Sequence, residues 1–448
     1  MILNSFYQRE VMFDWRGLNQ PDKTRLVNDV VPGNLDIAQK MLTAKPTKTC
    51  KRALRRCCGT ATRLTKRRCS SAGSSGLAEF HTSEGPAPNR AFGCRAPLSF
   101  EVDLDAAAFA RDRATTGELP MKAILHTKYG PPDVLQFADV EKPTPKDHEV
   151  LIKLCAASVN PLDLFCLRGT PLIRSLPGLR TPKHPVLGCD IAGRVEAVGS
   201  TVKDFRPGDE VFGVTGFAGG GFAEYVCAPE EKLALKPVNS SFEEAAAVPI
   251  AGVTALQGLR DHGQIQTGQK VLVDGASGGV GTFAVQIAKS FGADVTAVCS
   301  TGKMDTALSI GADHAIDYTR EDFTKSGQRY DLIVGANAHH SMFVYRHMLT
   351  EDGIYVAIGG GLPQIFESLL LSRFLSRMGR KKTRFFIASI NRENLTFLKD
   401  LVETGKVTPV IDRRYPLSGA ADALRYLEQR HAQGKIVLTV EIVPPLNK

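Results

Sequence analysis

The chain has no apolar run approaching the roughly 20 residues that span a bilayer, so no membrane-crossing helix is expected. It also has no matched pair of C-x-x-C knuckles: Cys50, Cys57, Cys58 and Cys69 lack that spacing, and no zinc knuckle is expected there. Ten cysteines in 448 residues, with no secretory signal at the start, fit free thiols in a reducing compartment, and the expected location is cytoplasmic. Beyond residue 120 there is little charge of either sign in excess, with 37 basic against 35 acidic residues. That part therefore carries no electrostatic footprint for nucleic acid. Residues 1–120 hold most of the net +9, with 19 basic against 12 acidic residues. From Lys45 to Arg68 there are ten basic residues and no acid, followed by Ser70-Ser71-Ala72-Gly73-Ser74-Ser75-Gly76. Arg-rich, Ser-rich, acid-poor sequence is the composition of an organelle transit segment. Glu10, Asp14, Asp22, Asp29 and Asp36, and the absence of a sustained amphipathic period, argue against one. Residues 1–120 are read as a basic, disordered extension, or as non-native coding sequence, with Met121 as the functional start; organelle targeting is the alternative.

What is present begins at Met121. Short β-type runs follow at Met121 to Leu125, Val150 to Cys155, Ile191 to Val198, Glu210 to Val214 and Phe222 to Cys227, separated by turns such as Pro207-Gly208-Asp209. From about Gly252 the rhythm becomes strand and helix in alternation. Strands are expected at Val271 to Asp274, Asp294 to Cys299, Leu332 to Val334, Ile354 to Ile358 and Phe385 to Ala388, as in a doubly wound parallel sheet. A helix over Leu395 to Glu403 then leads to a closing strand from Lys435 to Val440. The densest signal is Val271-Leu272-Val273-Asp274-Gly275-Ala276-Ser277-Gly278-Gly279-Val280-Gly281: a strand, a turn of small residues, and a helix with Val280, Phe283, Ala284, Ile287 and Ala288 on one face. Ala276, Gly278 and Gly281 stand in the three places of G-x-G-x-x-G, so backbone N–H groups at a helix N-terminus can approach a pyrophosphate.

Asn160-Pro161-Leu162-Asp163, Leu187-Gly188-Cys189-Asp190-Ile191-Ala192-Gly193, Pro207-Gly208-Asp209-Glu210-Val211, the 276–281 turn and Gly434-Lys435-Ile436-Val437-Leu438 resemble the medium-chain dehydrogenase/reductase superfamily. Within it they are similar to the zinc-independent quinone oxidoreductase group, including chloroplast-envelope quinone oxidoreductase-like proteins. The resemblance covers about Met121 to Val443. It implies an α/β protein with a GroES-like β-rich catalytic domain (121–251), a Rossmann nucleotide-binding domain (252–389) and a segment (390–448) that completes the first. It also implies a homodimer, and it places Asn160 and Thr254 near the nicotinamide end of a bound dinucleotide, Ala276, Ser277, Gly278, Gly279, Val280 and Gly281 at its phosphates, Tyr318 beside the adenosine, and Ile358 and Gly359 among the other cofactor-binding residues.

An Asp or Glu about 20 residues past the glycine turn holds the ribose hydroxyls of NAD. Here that place falls at Ser300, with Lys303 nearby, a hydroxyl and a cation suited to a 2′-phosphate. NADPH is therefore the expected cofactor. A catalytic zinc needs three N, S or O ligands, and the matching positions hold Asn160, Cys189 and Ile250, so no metal is expected. Without a metal, hydride transfer is easiest to a quinone or α,β-unsaturated carbonyl, where charge moves onto a conjugated oxygen. Phe165 and Pro171 replace the tyrosines that several quinone oxidoreductases carry, which points to solvent or a backbone donor for the proton. Asp163 is expected to order the loop around Asn160; His184 and His262 are candidate donors. The basic amphipathic stretch Arg373, Arg377, Arg380, Lys381, Lys382 and Arg384 reads as a solvated helix face, with peripheral membrane contact as the alternative. An NADPH-dependent reductase of quinones or enones is the leading reading. A 2-enoyl thioester reductase and an NADPH-binding sensor with little turnover remain open.

Overall fold

The computed structural model describes residues 120–440, except 170–180, 217–218, 360–366, 368–370, 373–374 and 377–378. The expectations for residues 1–119, for Pro171 and for Arg373 and Arg377 lie outside the described residues. Strand β1 (Met121–Leu125) pairs antiparallel with β2 (Gln136–Val140). β3 (Glu149–Val159) is followed by helix α1 (Pro161–Arg168), then β4 (Asp190–Val198), β5 (Glu210–Val214), β6 (Tyr225–Pro229) and β7 (Leu233–Leu235). Two helices, α2 (Phe242–Ala247) and α3 (Pro249–Leu256), lead into β8 (Lys270–Asp274) and α4 (Gly279–Ser290). Alternation continues through β9 (Asp294–Cys299), α5 (Met304–Ser309), β10 (His314–Asp317), β11 (Tyr330–Gly335), α6 (Met342–His347), β12 (Leu349–Ala357) and β13 (Lys382–Phe385). The chain closes with α7 (Arg392–Glu403), β14 (Ile411–Pro416), α8 (Ala420–Glu428) and β15 (Lys435–Thr439).

The six strands β8 to β13 form one parallel sheet in the order β10-β9-β8-β11-β12-β13. The order reverses between β8 and β11, the crevice where doubly wound sheets bind ligands at the carboxyl ends of their strands. Burial on both faces explains the unbroken apolar run in β8: Val271, Leu272 and Val273 are all fully buried, each contributing about 1.5–3 kcal/mol of hydrophobic stabilisation. Helix α4 covers one face with Phe283, Ala284, Ile287 and Ala288, fully buried at helical spacing. Gly292, at φ 79°, ends it in the left-handed conformation that glycine adopts without strain.

The second sheet has the order β14-β15-β3-β4-β5-β7, and β6 pairs with the first half of β3. The second half of β3 pairs with β15, Ile436 opposite Val159, so the last described strand completes a sheet begun near residue 149. Several expectations shift in position: β6 starts at Tyr225 and not Phe222, and β12 starts at Leu349, five residues before the expected Ile354. The strand expected at Phe385 to Ala388 is β13, three residues earlier, and the expected helix Leu395 to Glu403 starts at Arg392, capped by Asn391 Oδ1 accepting from Asn394 N at 2.9 Å. The basic stretch is not one helical face. Lys382 and Arg384 belong to β13, an edge strand where charge discourages further pairing, and Arg380 is paired with Asp352.

Candidate active site

The strand-to-helix turn is built by two different glycine requirements. Gly275 sits at φ 81°, and a Cβ there would meet Asn337 at 2.7 Å. Gly281 lies where α4 crosses back over the turn, and its Cβ would fall 2.1 Å from the Gly275 carbonyl oxygen. Ala276 is fully buried beneath the turn, and Gly278 caps α4. The first N–H groups of α4 have no partner within the helix, and they face the crevice at the sheet's switch point.

A cleft of about 1250 Å³ opens there. Ser277, Gly278, Gly279, Val280 and Gly281 line its middle. One end is lined by Ser300, Lys303 and Tyr318, together with Arg320. The other carries Asn160, Ile358 and Gly359, with Val159, Leu164 and Phe165 supplying apolar wall. Asp163, Thr254 and Ala276 do not line it. Thr254 turns its hydroxyl back to the Ile250 carbonyl at 2.6 Å, and Asp163 is buried behind Asn160. His184 and His262 are not on the cleft either: His184 is exposed, and His262 stacks on Phe386 at 4.1 Å. The histidines on the wall are His339 and His340, which follow β11 and gave no periodic signal in the sequence.

Lys303 is not a free cation. Its Nζ donates to the carbonyl oxygens of His431 at 2.9 Å and Ala432 at 3.3 Å, and burial lowers its pKa. Ser300 starts the short turn that carries Lys303.

At the apolar end a buried polar cluster surrounds Asn160. Lys435 Nζ donates to Asn160 Oδ1 at 2.6 Å and to Asp190 Oδ2 at 3.2 Å. Asn160 Nδ2 donates to Asp190 Oδ2 at 2.9 Å and to the Ser158 carbonyl at 3.3 Å. Asp190 Oδ2 also accepts from Ser158 Oγ at 2.8 Å, and its Oδ1 accepts from Ile250 N at 3.0 Å. Asp163 accepts from Asn160 N at 2.7 Å and from Gly188 N at 3.2 Å, ordering the start of α1 as expected of this residue type. Burial raises the Asp163 carboxyl to about 7 despite those bonds. Lys435 and Asp190 were legible only as parts of motifs.

The donors around Asn160 do not fit a catalytic zinc. Asn160 Oδ1 is already bonded to an ammonium and the Ile250 side chain has no donor atom, which leaves Cys189 alone among the three positions where three ligands are needed. Among the described residues no three His, Cys, Asp or Glu side chains cluster as a metal site. A dinucleotide does fit: the glycine turn leaves room for phosphates, and the cleft runs from there to a cationic rim and to an apolar wall.

Fold and site together define a nucleotide-dependent oxidoreductase architecture. Family models match an alcohol dehydrogenase GroES-like domain at residues 146–238 and a zinc-binding dehydrogenase at residues 310–438. The chain is 37% identical over 329 residues to the chloroplast envelope quinone oxidoreductase homolog of Arabidopsis thaliana, covering 71% of this chain and 98% of that protein. It is 36% identical over 358 residues to the chloroplastic NADPH-dependent alkenal/one oxidoreductase of the same plant, covering 76% and 86%. The solved quinone oxidoreductase from Coxiella burnetii superposes with a TM-score of 0.64 at 30% identity, over 72% of this chain and 100% of that one. The chain belongs to the medium-chain dehydrogenase/reductase superfamily.

Proposed function

We propose that this protein is a zinc-independent, NADPH-dependent reductase of quinones or α,β-unsaturated carbonyls. The observation that carries the reading is a single cleft joining the glycine turn, the Ser300–Lys303 rim and the apolar wall at Asn160. The names of the Arabidopsis relatives support the same cofactor and acceptor classes. NADPH, when bound, supplies the hydride. The chain's own residues do the rest. Val159, Leu164 and Phe165 keep water from the acceptor, and Asn160, with both ends of its amide engaged, orients the wall rather than donating to the acceptor. The proton comes from solvent or a backbone donor, since Phe165 stands where a tyrosine would serve. Resemblance further supports a homodimer. The chloroplastic names of relatives favour an organelle over the cytoplasm, and no described helix is long and apolar enough to cross a membrane.

The test is NADPH consumption against quinones, enones and enoyl thioesters, with and without prolonged chelation, in the parent protein and in Lys303→Ala. The expected result is chelator-resistant turnover of quinones or enones, with NADPH bound more tightly than NADH. Lys303→Ala should narrow that gap by about 1.5–3 kcal/mol, the scale of a charged hydrogen bond. Activity lost together with stoichiometric zinc, or equal affinity for the two cofactors in the parent, counts against it. Exclusive use of enoyl thioesters would favour the reductase of that class.

A further inference from the structure

Lys435 is the one cation inside the polar cluster, its side chain 3% exposed and that of its partner Asp190 fully buried. Its surroundings come from four separate parts of the chain. The preceding residue binds the glycine turn: Gly434 N donates to the Ser277 carbonyl at 2.9 Å, and Gly434 bridges Gly278. The stem of Lys435 lies along the same turn, so that a Cβ on Gly279 would meet Lys435 Cδ at 3.0 Å. Its head crosses to the opposite wall and bonds Asn160 and Asp190, and Asp190 in turn holds the N-terminus of α3 through Ile250 N. One side chain thus spans the wall that faces the dinucleotide phosphates and the wall that faces the acceptor.

Hydride transfer demands reacting atoms about 3–3.5 Å apart, and an error of about 1 Å costs on the order of a hundredfold in rate. We propose that Lys435 is a positioning residue that sets the separation of the glycine turn and the Asn160 wall, acting through Asn160 and Asp190 without touching the acceptor. The proposal rests on the reductase reading above. A plain counter-charge for Asp190 would need only a cation. Positioning needs this head at this reach, because it bonds Asn160 Oδ1 and Asp190 Oδ2 at once.

Lys435→Arg keeps the charge and changes the reach; Lys435→Met keeps the stem and removes the head. Three quantities are read in each: affinity for 2′,5′-ADP, which reports the adenosine end; fluorescence of bound NADPH, which reports the nicotinamide environment; and kcat with the best acceptor. The expected result for either variant that folds is a fall in kcat of about tenfold or more with altered NADPH fluorescence, while 2′,5′-ADP affinity stays within about twofold. Parent-like kcat and fluorescence in Lys435→Arg would reduce Lys435 to a counter-charge and overturn the proposal. So would a parallel loss of 2′,5′-ADP affinity, or failure of both variants to fold, which would make the residue merely structural. If the parent turns over no acceptor, the reductase reading fails, and the fluorescence and 2′,5′-ADP measurements alone decide the role of Lys435.

Discussion

Asp163 shows how one buried carboxyl carries a pH signature. Burial, the largest influence, lifts its pKa to about 7, and its bonds from Asn160 N and Gly188 N only partly offset this. The unfolded chain ionises this group near pH 4 while the folded chain holds the proton to about pH 7. Its contribution is therefore intact below about pH 4 and is lost as pH rises to about 7, at up to about 1.4 kcal/mol per pH unit. Above that window it adds no slope. Asp163→Asn should remove this slope, so the stability gap between parent and variant changes steadily from pH 4.5 to 7 and then levels. Denaturant unfolding at several pH values checks this; parallel stability curves would contradict it. The neighbouring thiols follow the same physics, with Cys166 pushed up to about 11 by burial. The Asn160–Asp163 contact was legible in sequence, because a capping carboxylate three residues past Asn160 is a local feature. The pKa was not legible, since it depends on what the fold packs around the group.

At the scale of elements, the loop between α8 and β15 straps the second sheet to the nucleotide turn. Gly434 sits at φ 91°, and a Cβ there would lie 2.2 Å from the Val410 carbonyl oxygen, which already accepts from Lys435 N at 2.8 Å. Gly434→Ala should therefore destabilise the protein by about 1–3 kcal/mol, the usual cost of overpacking. It should also weaken NADPH binding, because the Gly434–Ser277 bond and the carbonyls that hold Lys303 belong to the same loop. Calorimetric unfolding and an NADPH titration test both effects, and a variant with unchanged stability would sink the first. The glycine turn itself was legible because strand, turn and helix are adjacent and announce themselves by period. β13 was misplaced because its Lys382 and Arg384 imitate the polar positions of the preceding amphipathic stretch, and only sheet pairing shows them to be an edge.

At the scale of the whole molecule, the second sheet is closed by β15, so it is not complete until residue 439 is in place. Ties between the sheets are numerous: Gln286 and Thr408 exchange two hydrogen bonds of 3.0 and 2.7 Å, and Lys232 donates to the Ile390 carbonyl at 2.8 Å. β1 is packed into this body through Met121, Ala123 and Ala223. A chain beginning at Met121 should therefore fold and bind NADPH like the full chain. Circular dichroism and cofactor titration of the two forms check this, and loss of folding on removal of residues 1–120 would reject it.

The sequence by itself determined the alternation of strand and helix around the glycine turn, though not β2, β7, β10 or β14, together with the absence of an acid at Ser300 and the poor zinc ligand set. These are local properties: which side chains an element buries follows from its own period, and a turn's glycines answer to nearby backbone. Tertiary structure alone decided where the cations went. Lys435 reaches Asn160 across 275 residues and Asp190 across 245, and Lys303 reaches the His431 carbonyl across 128. A buried ammonium must find compensating oxygens wherever the fold brings them, and no period along the chain records which oxygens those are.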